Sequence, residues 1–174
     1  MRPDAVVDAS VLIVLAKTRR LELLKALYRR VIVGPVVKRE GIEAGKRIRA
    51  RGVELLEQAL GDGWLRLVRP TGTESKLAQR LLRVSNLHAG EAEALALAER
   101  RGLLLIVDDQ EARNTAGRLG IQYLGAAGVL LYARRQGYLT LEELEDAVHD
   151  LAGVLWLSPS VVATVLKRAR EEKR

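Results

Sequence analysis

The sequence predicts an α/β fold with a parallel sheet, and three observations support this prediction. Short strand-like apolar runs alternate with longer helical patterns along the 174 residues, as in chains that cross over a parallel sheet. The run at residues 103–107 is apolar throughout, which is typical of a parallel strand buried on both faces. Apolar residues make up 48% of the chain, enough for one domain with its own core. We therefore predict a single domain over residues 1–174, with a core at about 4–125 and a C-terminal helical extension at about 126–174.

The first half of the chain alternates strands with helices whose ends carry recognisable signals. The predicted strands are residues 5–7, 31–33 and 64–69, and the predicted helices are residues 11–17, 21–28, 35–60 and 74–84. Gly34-Pro35 ends the second strand, and Pro35 suits the first turn of the helix that follows. An apolar stripe supports that helix, whereas its glycines weaken it. The stripe consists of Val37, Gly41, Ala44 and Ile48. Residues 64–69 alternate apolar and basic side chains, which favours a strand near the sheet edge.

The second half repeats the pattern and adds helices. The predicted strands are residues 103–107 and 121–124, and the predicted helices are residues 89–101, 110–119 and 126–135. Gly102 and Gly120 stand where helices should end. Thr140 with Glu143 forms a capping box that opens another helix. Ser158-Pro159 opens the last helix, with Ser as the cap and Pro at the first helical position.

The charge balance favours a polyanionic partner. The formal net charge is +7 and the sequence pI is about 10.0, which is typical of proteins that bind nucleic acid, although solubility alone would also explain it. Basic residues cluster in residues 38–51 and at the C-terminus. The C-terminal cluster is Lys167, Arg168, Arg170, Lys173 and Arg174. The candidate contacts to an RNA backbone are Lys38, Arg39, Lys46 and Arg47. Aromatic residues are 3% of the chain and Phe is absent, so phosphate contacts should outweigh base stacking.

Composition also excludes several kinds of site. The chain has no Cys, which excludes disulfides and thiolate zinc sites. Its histidines are His88 and His149, which leaves little for histidine-based catalysis. No apolar run approaches the ~20 residues that a membrane span requires, and strand-like sequence begins too early to leave room for a signal peptide. We expect a cytoplasmic protein that does not bind membranes.

Acidic residues stand where two predicted strands end. Asp8 follows residues 5–7, and Asp108 with Asp109 follows residues 103–107. If these strands are neighbours in a parallel sheet, their carboxyl ends meet at the edge where open α/β sheets bind ligands. Asp is also a preferred N-cap, so Asp8 alone is explained equally well as a cap. The adjacent pair is better explained by a hard cation such as Mg²⁺ or Mn²⁺, because a cap needs one carboxylate and the two repel each other.

Two glutamates lie just inside predicted helices. Glu91 shares a stripe with residues that should face the core, where a carboxylate is unfavourable unless it is paired or metal-bound; a favourable charge at the helix N-terminus is the alternative. Glu93 lies about 200° from Glu91 around the helix axis, so we assign it to the solvated face. Glu40 can lean over the sheet edge, and a salt bridge to a nearby Lys or Arg explains it equally well. Ser10 either caps its helix or orients a ligand-binding group.

Taken in order, these segments resemble the motif series of PIN domains, most closely those of VapC-like toxins and their prokaryotic relatives. The segments are residues 6–10 (VVDAS), 33–40 (VGPVVKRE), 90–98 (GEAEALALA) and 105–109 (LIVDD). The resemblance covers roughly residues 6–124. It implies a three-layer α/β/α sandwich around a parallel sheet, Mg²⁺- or Mn²⁺-dependent cleavage of RNA, and often a cognate antitoxin protein.

The resemblance also assigns roles to individual residues. The implied catalytic acids are Asp8, Glu40, Glu91 and Asp109. The implied metal ligands are Asp8, Glu91, Asp108 and Asp109. Ser10 matches the hydroxyl residue that supports the first acid. The chain departs from the common pattern in two places. Glu91 stands where Asp is usual, and Val107 replaces a Thr, which removes a hydroxyl that could orient a ligand.

These observations predict a metal-dependent endoribonuclease that hydrolyses phosphodiesters and acts as the toxin of a toxin–antitoxin pair. Two alternatives are a non-catalytic RNA-binding PIN-like domain and a metal-dependent nuclease in RNA processing outside a toxin system. The apolar residues of the extension either complete the core or form a contact surface. They lie in residues 126–131, 154–157, 161–162 and 165–166. We predict a homodimer, with residues of this tail buried between subunits or under a partner.

Overall fold

A computed structural model describes residues 2–155 and 157–171 of the chain. Trp156, Lys173 and Arg174, which belong to the predicted apolar tail and the C-terminal basic cluster, lie outside the described residues. Strands and helices alternate along the core, as predicted.

All strand pairs in the described chain are parallel, which confirms the predicted α/β class. The strands are β1 (Asp4–Val7), β2 (Arg30–Val33), β3 (Leu65–Leu67), β4 (Leu104–Ile106) and β5 (Tyr123–Leu124). Within residues 2–155 and 157–171 they form one five-stranded sheet in the order β3-β2-β1-β4-β5. The alternating segment that was predicted to lie near an edge is the edge strand β3.

The helices fall at or near the predicted positions, apart from one long segment. Those before β4 are α1 (Ala9–Lys17), α2 (Glu22–Leu27), α3 (Pro35–Lys38), α4 (Ala44–Arg47), α5 (Val53–Gly61), α6 (Gly72–Val84) and α7 (Ala89–Arg101). Those after β4 are α8 (Gln110–Arg118), α9 (Ala126–Arg135), α10 (Leu141–Val154) and α11 (Pro159–Glu171). The predicted capping box at Thr140 is present, with the Glu143 N–H donating to its hydroxyl at 3.1 Å. The Ser158 hydroxyl accepts the N–H of Val161 at 3.3 Å, as expected of the cap of α11.

The single helix predicted over residues 35–60 is wrong. After α3 the backbone passes through a π-helical segment (Arg39–Glu43) into α4, and the helix then breaks until α5 begins. Arg49 and Gly52 adopt positive φ angles of 50° and 86° in the break. A Cβ on Gly52 would lie 2.7 Å from the backbone carbonyl of Ala16, so the chain can approach α1 this closely because the residue is glycine. The break leaves Ile48 77% exposed, although the apolar stripe had placed it toward the core.

Two cores lie on opposite faces of the sheet and make the predicted three layers. Along β1, Ala5 and Val7 face one core, whereas Val6 faces the other, as the twofold period of a strand requires. The first core is covered by α1, α2, α5 and α9–α11, and the second by α6, α7 and α8. The chain is therefore an α/β/α sandwich with helices on both faces of a parallel sheet.

The C-terminal extension packs largely on its own chain. Val129, Leu130, Leu144 and Leu151 are fully buried in the first core, and α11 adds Val165, which is 7% exposed. Core completion thus accounts for most apolar residues of the tail that the structure describes. In that same part of the chain, no helix is long and apolar enough to cross a membrane.

Candidate active site

The candidate site lies where the order of strands changes direction. Following β1, the chain adds β2 and β3 on one side, whereas β4 and β5 lie on the other, so β1 and β4 are neighbours. The backbone N–H of Asp8 donates to the carbonyl oxygen of Ile106 at 3.0 Å, which places Asp8 beside the end of β4. Open α/β sheets bind ligands at this point, outside the carboxyl ends of the strands.

Asp8 is oriented by the start of α1. The residue is 4% exposed, and its Oδ2 accepts hydrogen bonds from the Ser10 hydroxyl at 2.7 Å and from the Ser10 N–H at 3.4 Å. Asp8 is therefore the N-cap of α1, and Ser10 orients its carboxylate instead of capping the helix. Because these bonds engage Oδ2, capping is compatible with a second partner at Oδ1.

Glu91 reaches the same edge from the first turn of α7. Its Oε2 accepts the backbone N–H of His88 at 2.8 Å, which satisfies a donor at the helix start. Burial raises the pKa of the Glu91 carboxyl, the His88 hydrogen bond opposes that rise, and the negative charges of Asp109 and Asp8 add to it. Asp109 and Asp8 therefore each lie close enough to Glu91 for their charges to act on its carboxylate. His88 also lies close enough for its charge to favour the ionised form of Glu91, although no histidine was expected near the acids.

Glu40 approaches the other acids across a glycine. It lies on the π-helical segment after α3, a backbone form that is frequent at functional sites. A Cβ on Gly90 would lie 2.7 Å from Glu40 Oε2 and 3.7 Å from Asp8 Oδ1. Gly90 thus leaves the space at the N-terminus of α7 in which these two carboxylates meet. Together with Asp109 and Glu91, they bring all four acids that the resemblance assigned to catalysis to one edge of the sheet.

Asp108 and Asp109 each accept a backbone N–H at the start of a different helix. Asp109 Oδ1 accepts the N–H of Ala112 at 2.8 Å and caps α8. Asp108 Oδ1 accepts the N–H of Ala126 at 3.0 Å, at the start of α9. Two helices begin at this edge, and each uses one carboxylate of the pair. The adjacent pair does not by itself require a cation.

The two carboxylate oxygens of Asp108 differ in their hydrogen bonds. Its Oδ1 also accepts from the Arg113 guanidinium at 3.0 Å, whereas Oδ2 is buried and has no hydrogen-bond partner among the residues that the structure describes. Burial raises the pKa of the Asp108 carboxyl, the Ala126 N–H and the Arg113 charge lower it, and the charge of Asp8 raises it. Asp108 is thus electrostatically coupled to the acidic edge while it fixes the start of α9.

Glu93 is buried, so its assignment to the solvated face is wrong. The residue is 7% exposed, and its Oε1 accepts the N–H of Val36 at 2.9 Å, in the first turn of α3. Burial raises the pKa of this carboxyl, and the backbone hydrogen bonds from Val36 and Val37 oppose the rise. Helix periodicity misses Glu93 because α7 is buried almost all round. In the structure the Glu93 carboxylate lies where a Cβ on Gly34 would be.

The four basic residues proposed to contact the RNA backbone differ in whether they already form a salt bridge with an acidic side chain. Lys38 pairs with Glu43 at 3.6 Å and Lys46 pairs with Glu57 at 2.5 Å. The charge of Arg39 acts on Glu93 and lowers its pKa. Arg47 is exposed, and in the part of the chain described here no acidic side chain pairs with it. Arg39 is exposed as well, so the two arginines are more available for a phosphate than the two lysines.

The acids match a hard divalent cation in their chemistry. Within residues 2–155 and 157–171, no three His, Asp or Glu side chains are already arranged as metal ligands. The donor set is nevertheless all carboxylate, which suits Mg²⁺ or Mn²⁺. The mutual repulsion at Glu91 and the unpaired Asp108 Oδ2 are both features that a cation would relieve. The residues that would hold such an ion are Asp8, Glu91, Asp108 and Asp109, with Glu40 beside them.

A family model described as a PIN domain matches residues 4–171. The match begins within β1, ends with α11 and includes every residue of the acidic edge. No curated protein matches the chain.

Proposed function

Because the chain belongs to the PIN-domain family, whose members are generally nucleases, we propose that it is a Mg²⁺- or Mn²⁺-dependent endoribonuclease. One observation carries the proposal. Asp8 and Glu40 approach the same point at the start of α7, 3.7 Å and 2.7 Å from where a Cβ on Gly90 would lie, and the charges of Asp109 and Asp8 raise the pKa of Glu91 at that helix start. Carboxylates that repel one another are an unfavourable arrangement for stability alone and a favourable one for binding a cation.

The residues of the acidic edge are positioned by different neighbours. Asp8 is held by Ser10, and Glu91 is held by the His88 N–H, so both carboxylates present a fixed face to the same edge. Glu40 reaches this edge across Gly90. When bound, a divalent cation supplies a lowered pKa for an attacking water and charge stabilisation for the scissile phosphate. The excess of basic residues, with a net charge of +7, favours the approach of a polyanion.

The experiment measures RNA cleavage against metal content. The purified chain is incubated with a labelled single-stranded RNA and Mn²⁺, then with excess EDTA, and then with Mn²⁺ restored. We expect cleavage that EDTA abolishes and that restored metal recovers. Cleavage at an unchanged rate in EDTA would contradict the metal dependence, and binding of RNA without cleavage would favour the non-catalytic RNA-binding alternative.

We propose further that the nuclease acts as the toxin of a toxin–antitoxin pair, is a homodimer in the cytoplasm, and binds a cognate antitoxin. The support is the resemblance of the acidic motifs to those of VapC-like toxins. Val154 and Val161, which are 39% and 43% exposed, and Tyr138, which is 48% exposed, are exposed apolar residues of the described extension that could form a contact between subunits. Induction of the parent chain and of its Asp8→Asn variant in cells tests the toxin role. Growth arrest by the parent alone supports it, whereas normal growth in both favours a nuclease of RNA processing.

A further inference from the structure

A cavity of about 630 Å³ opens between the strands β4 and β5 on one side and the helices α9 and α11 on the other. We name it the β5–α9 cavity. Its wall includes Leu104, Ile121, Tyr123, Leu131, Tyr132 and Arg168. Leu104 begins β4 and Ile121 precedes β5, so the cavity lies toward the amino ends of these strands, whereas the acids lie at the carboxyl ends. Its volume falls in the range of roughly 300–1,000 Å³ that is typical of small-molecule sites.

The helix α9 presents two apolar faces. The first is fully buried in the core on its side of the sheet and consists of Val129, Leu130 and Ala133. The second lines the cavity at the i, i+3, i+4, i+7 spacing of one helix face and consists of Gly128, Leu131, Tyr132 and Arg135. One apolar face is enough to pack a helix on a sheet. The second face is therefore available for binding.

The cavity is open because β5 is short. This edge strand has two residues, and its register pairs Tyr123 with Leu105, so Leu104 lies beyond the paired residues. Leu104 is only partly buried, although Leu105, next to it in the same strand, is fully buried. Covering such apolar surface is favourable in water, which gives an apolar ligand a reason to enter.

The charged side chains of the cavity wall are positive. Arg135 and Arg168 line the cavity, and no acidic residue lines it in the described part of the chain. The ion pairs on α11 engage Lys167 and Arg170, whereas Arg168 has no acidic partner within residues 2–155 and 157–171. An anionic ligand is therefore favoured over a cationic one.

Two tyrosine rings favour an aromatic ligand over an aliphatic one, since rings prefer to pack on rings. Tyr132 packs on the buried Tyr28, with ring centroids 6.3 Å apart, and Tyr123 is 42% exposed on the edge strand. A nucleotide fits poorly, because its sugar and base bring many polar groups that need partners. The neutral polar side chains of the described wall are limited to Gln122 and the two tyrosines.

We propose that the β5–α9 cavity binds a small organic anion with an aromatic body and one carboxylate. The ring packs on Tyr123 and Tyr132, and the carboxylate pairs with Arg168. The inference goes beyond the proposed nuclease function and does not depend on it, because the cavity and the acidic edge share no residue.

The first test determines which ligand chemistry the cavity selects. Anilinonaphthalene sulfonate, an aromatic anion whose fluorescence rises in apolar sites, is bound to the full chain and then displaced by competitors. Naphthoate has both required features, naphthamide has the ring without the charge, and decanoate has the charge without a ring. Naphthoate should compete at concentrations roughly tenfold or more below the other two. No competition by naphthoate, or equal or stronger competition by either of the others, would overturn the proposal.

The second test removes the positive charge of the wall. Arg168→Gln should weaken naphthoate binding roughly threefold to fivefold, as expected of an exposed ion pair, and leave naphthamide binding unchanged. Lys167→Gln is the control, because Lys167 is an exposed cation on the same helix that does not line the cavity. Calorimetric titration gives both affinities. Equal losses of naphthoate affinity in the two variants would overturn the role of Arg168.

The third test fills the cavity. Gly128→Leu adds a side chain to the wall, where a Cβ would lie 3.0 Å from the flexible end of Leu124, and it should weaken naphthoate binding on the order of tenfold or more. Gly153→Leu is the control, because Gly153 lies in α10 and a Cβ there meets no atom within 4 Å. Neither variant should lower the Tm, since Leu is the better helix former. Unchanged naphthoate affinity in Gly128→Leu would overturn the location of the site. Arg168→Gln, at an exposed position, keeps the proposal falsifiable if Gly128→Leu melts below the parent.

The naphthoate site and the nuclease can fail separately. Naphthoate affinity should be the same for the parent and for Asp8→Asn, in Mn²⁺ or in EDTA, because none of the acids lines the cavity. Loss of naphthoate binding in Asp8→Asn would overturn the claim of a separate site. Naphthoate binding by a chain that does not cleave RNA would remove the nuclease and keep the cavity as a binding site.

Discussion

The carboxylate of Glu93 accepts the backbone N–H of Val36 at 2.9 Å and so joins α7 to the first turn of α3. The contact depends on Gly34, because a Cβ at that position would fall on the Glu93 carboxylate. Glu40 lies on the helical segment that α3 begins, and its charge acts on Glu93. Glu93 therefore fixes the position from which Glu40 reaches the acidic edge.

Two replacements of Glu93 should distinguish the effect of its hydrogen bond from the effect of its charge. Glu93→Ala removes the acceptor for the Val36 N–H and should lower the free energy of unfolding by about 1–2 kcal/mol. It should also reduce nuclease activity, because Glu40 loses its support. Glu93→Gln keeps an acceptor oxygen and should retain most of both. Urea denaturation and initial cleavage rates provide the two measurements. Thr140→Ala removes a cap from α10 and should lower stability without lowering activity; equal loss of activity in both Ala variants would contradict a local effect.

Gly90→Ala should lower activity without lowering stability. Ala improves helix propensity by about 0.5–1 kcal/mol, and the group that its Cβ meets is the flexible end of Glu40, at 2.7 Å. The carboxylate must therefore move, and such displacement of a catalytic group should reduce the cleavage rate roughly tenfold or more. Gly72→Ala, in the first turn of α6, meets no atom within 4 Å and serves as the control. A fully active Gly90→Ala protein would show that the position of Glu40 is unimportant.

The ionisation of Glu91 should oppose folding when no metal is present. Burial and the charges of Asp109 and Asp8 raise its native pKa above the usual value of 4.5. The destabilisation therefore grows as pH rises from about 4.5 through the native pKa, and it is complete above that pKa. Glu91→Gln keeps the hydrogen bond with His88, so its Tm should exceed that of the parent at neutral pH and approach it in acid. Mn²⁺ should raise the parent's Tm more than the variant's. A lower Tm for Glu91→Gln in metal-free neutral buffer would contradict the repulsion.

The ion pair between Glu74 and Arg101 should matter for stability rather than for catalysis. Arg101 donates to Glu74 Oε1 at 2.7 Å and to Oε2 at 3.0 Å, joining α6 to α7. Arg101→Met leaves a buried carboxylate unpaired and should cost roughly 2–4 kcal/mol. The Arg101 hydrogen bond is the main cause that lowers the pKa of Glu74 from 4.5 to about 2. The stabilisation by this ion pair is fully present above pH 4.5 and is lost as the pH falls toward 2. The parent and Arg101→Met should therefore differ less in acid.

Urea midpoints at neutral and acid pH check this prediction. Lys25→Met is the control, since Lys25 pairs with Glu22 at 3.8 Å on the exposed surface of α2, and it should change stability little. A difference between Arg101→Met and the parent that stays constant down to pH values near 2 would contradict the assignment to Glu74.

The sequence predicted the sheet edge well because its signals are local. β1 and β4 are apolar runs that end in Asp8 and Asp108, and parallel pairing of their carboxyl ends follows from the alternation of strands and helices. The caps at Thr140 and Ser158 are likewise local, since a hydroxyl and a nearby backbone N–H suffice. These features did not depend on distant contacts.

The features that the sequence did not predict are set by tertiary contacts. Gly52 breaks the helix over residues 35–60 because it packs on Ala16, and nothing in the local pattern identifies that neighbour. Glu93 was placed in solvent because the helical period assumes one exposed face, whereas α7 is covered by α6, α8, α3 and the sheet. The sequence did not predict that Asp108 accepts a hydrogen bond from Ala126, because the start of α9 is distant along the chain and adjacent in the fold.

The central claim is that the converging carboxylates form a metal-dependent nuclease site, and the rate of RNA cleavage by Asp8→Asn in Mn²⁺ tests it most directly. Asn has the size of Asp and can still cap α1, so the substitution isolates the charge. Asp146→Asn, on the exposed face of α10, controls for the chemical change and the preparation. The account predicts that Asp8→Asn melts at or above the temperature of the parent and cleaves RNA slower by a factor on the order of 100 or more, while Asp146→Asn keeps the parental rate. Cleavage by Asp8→Asn at the parental rate would contradict it.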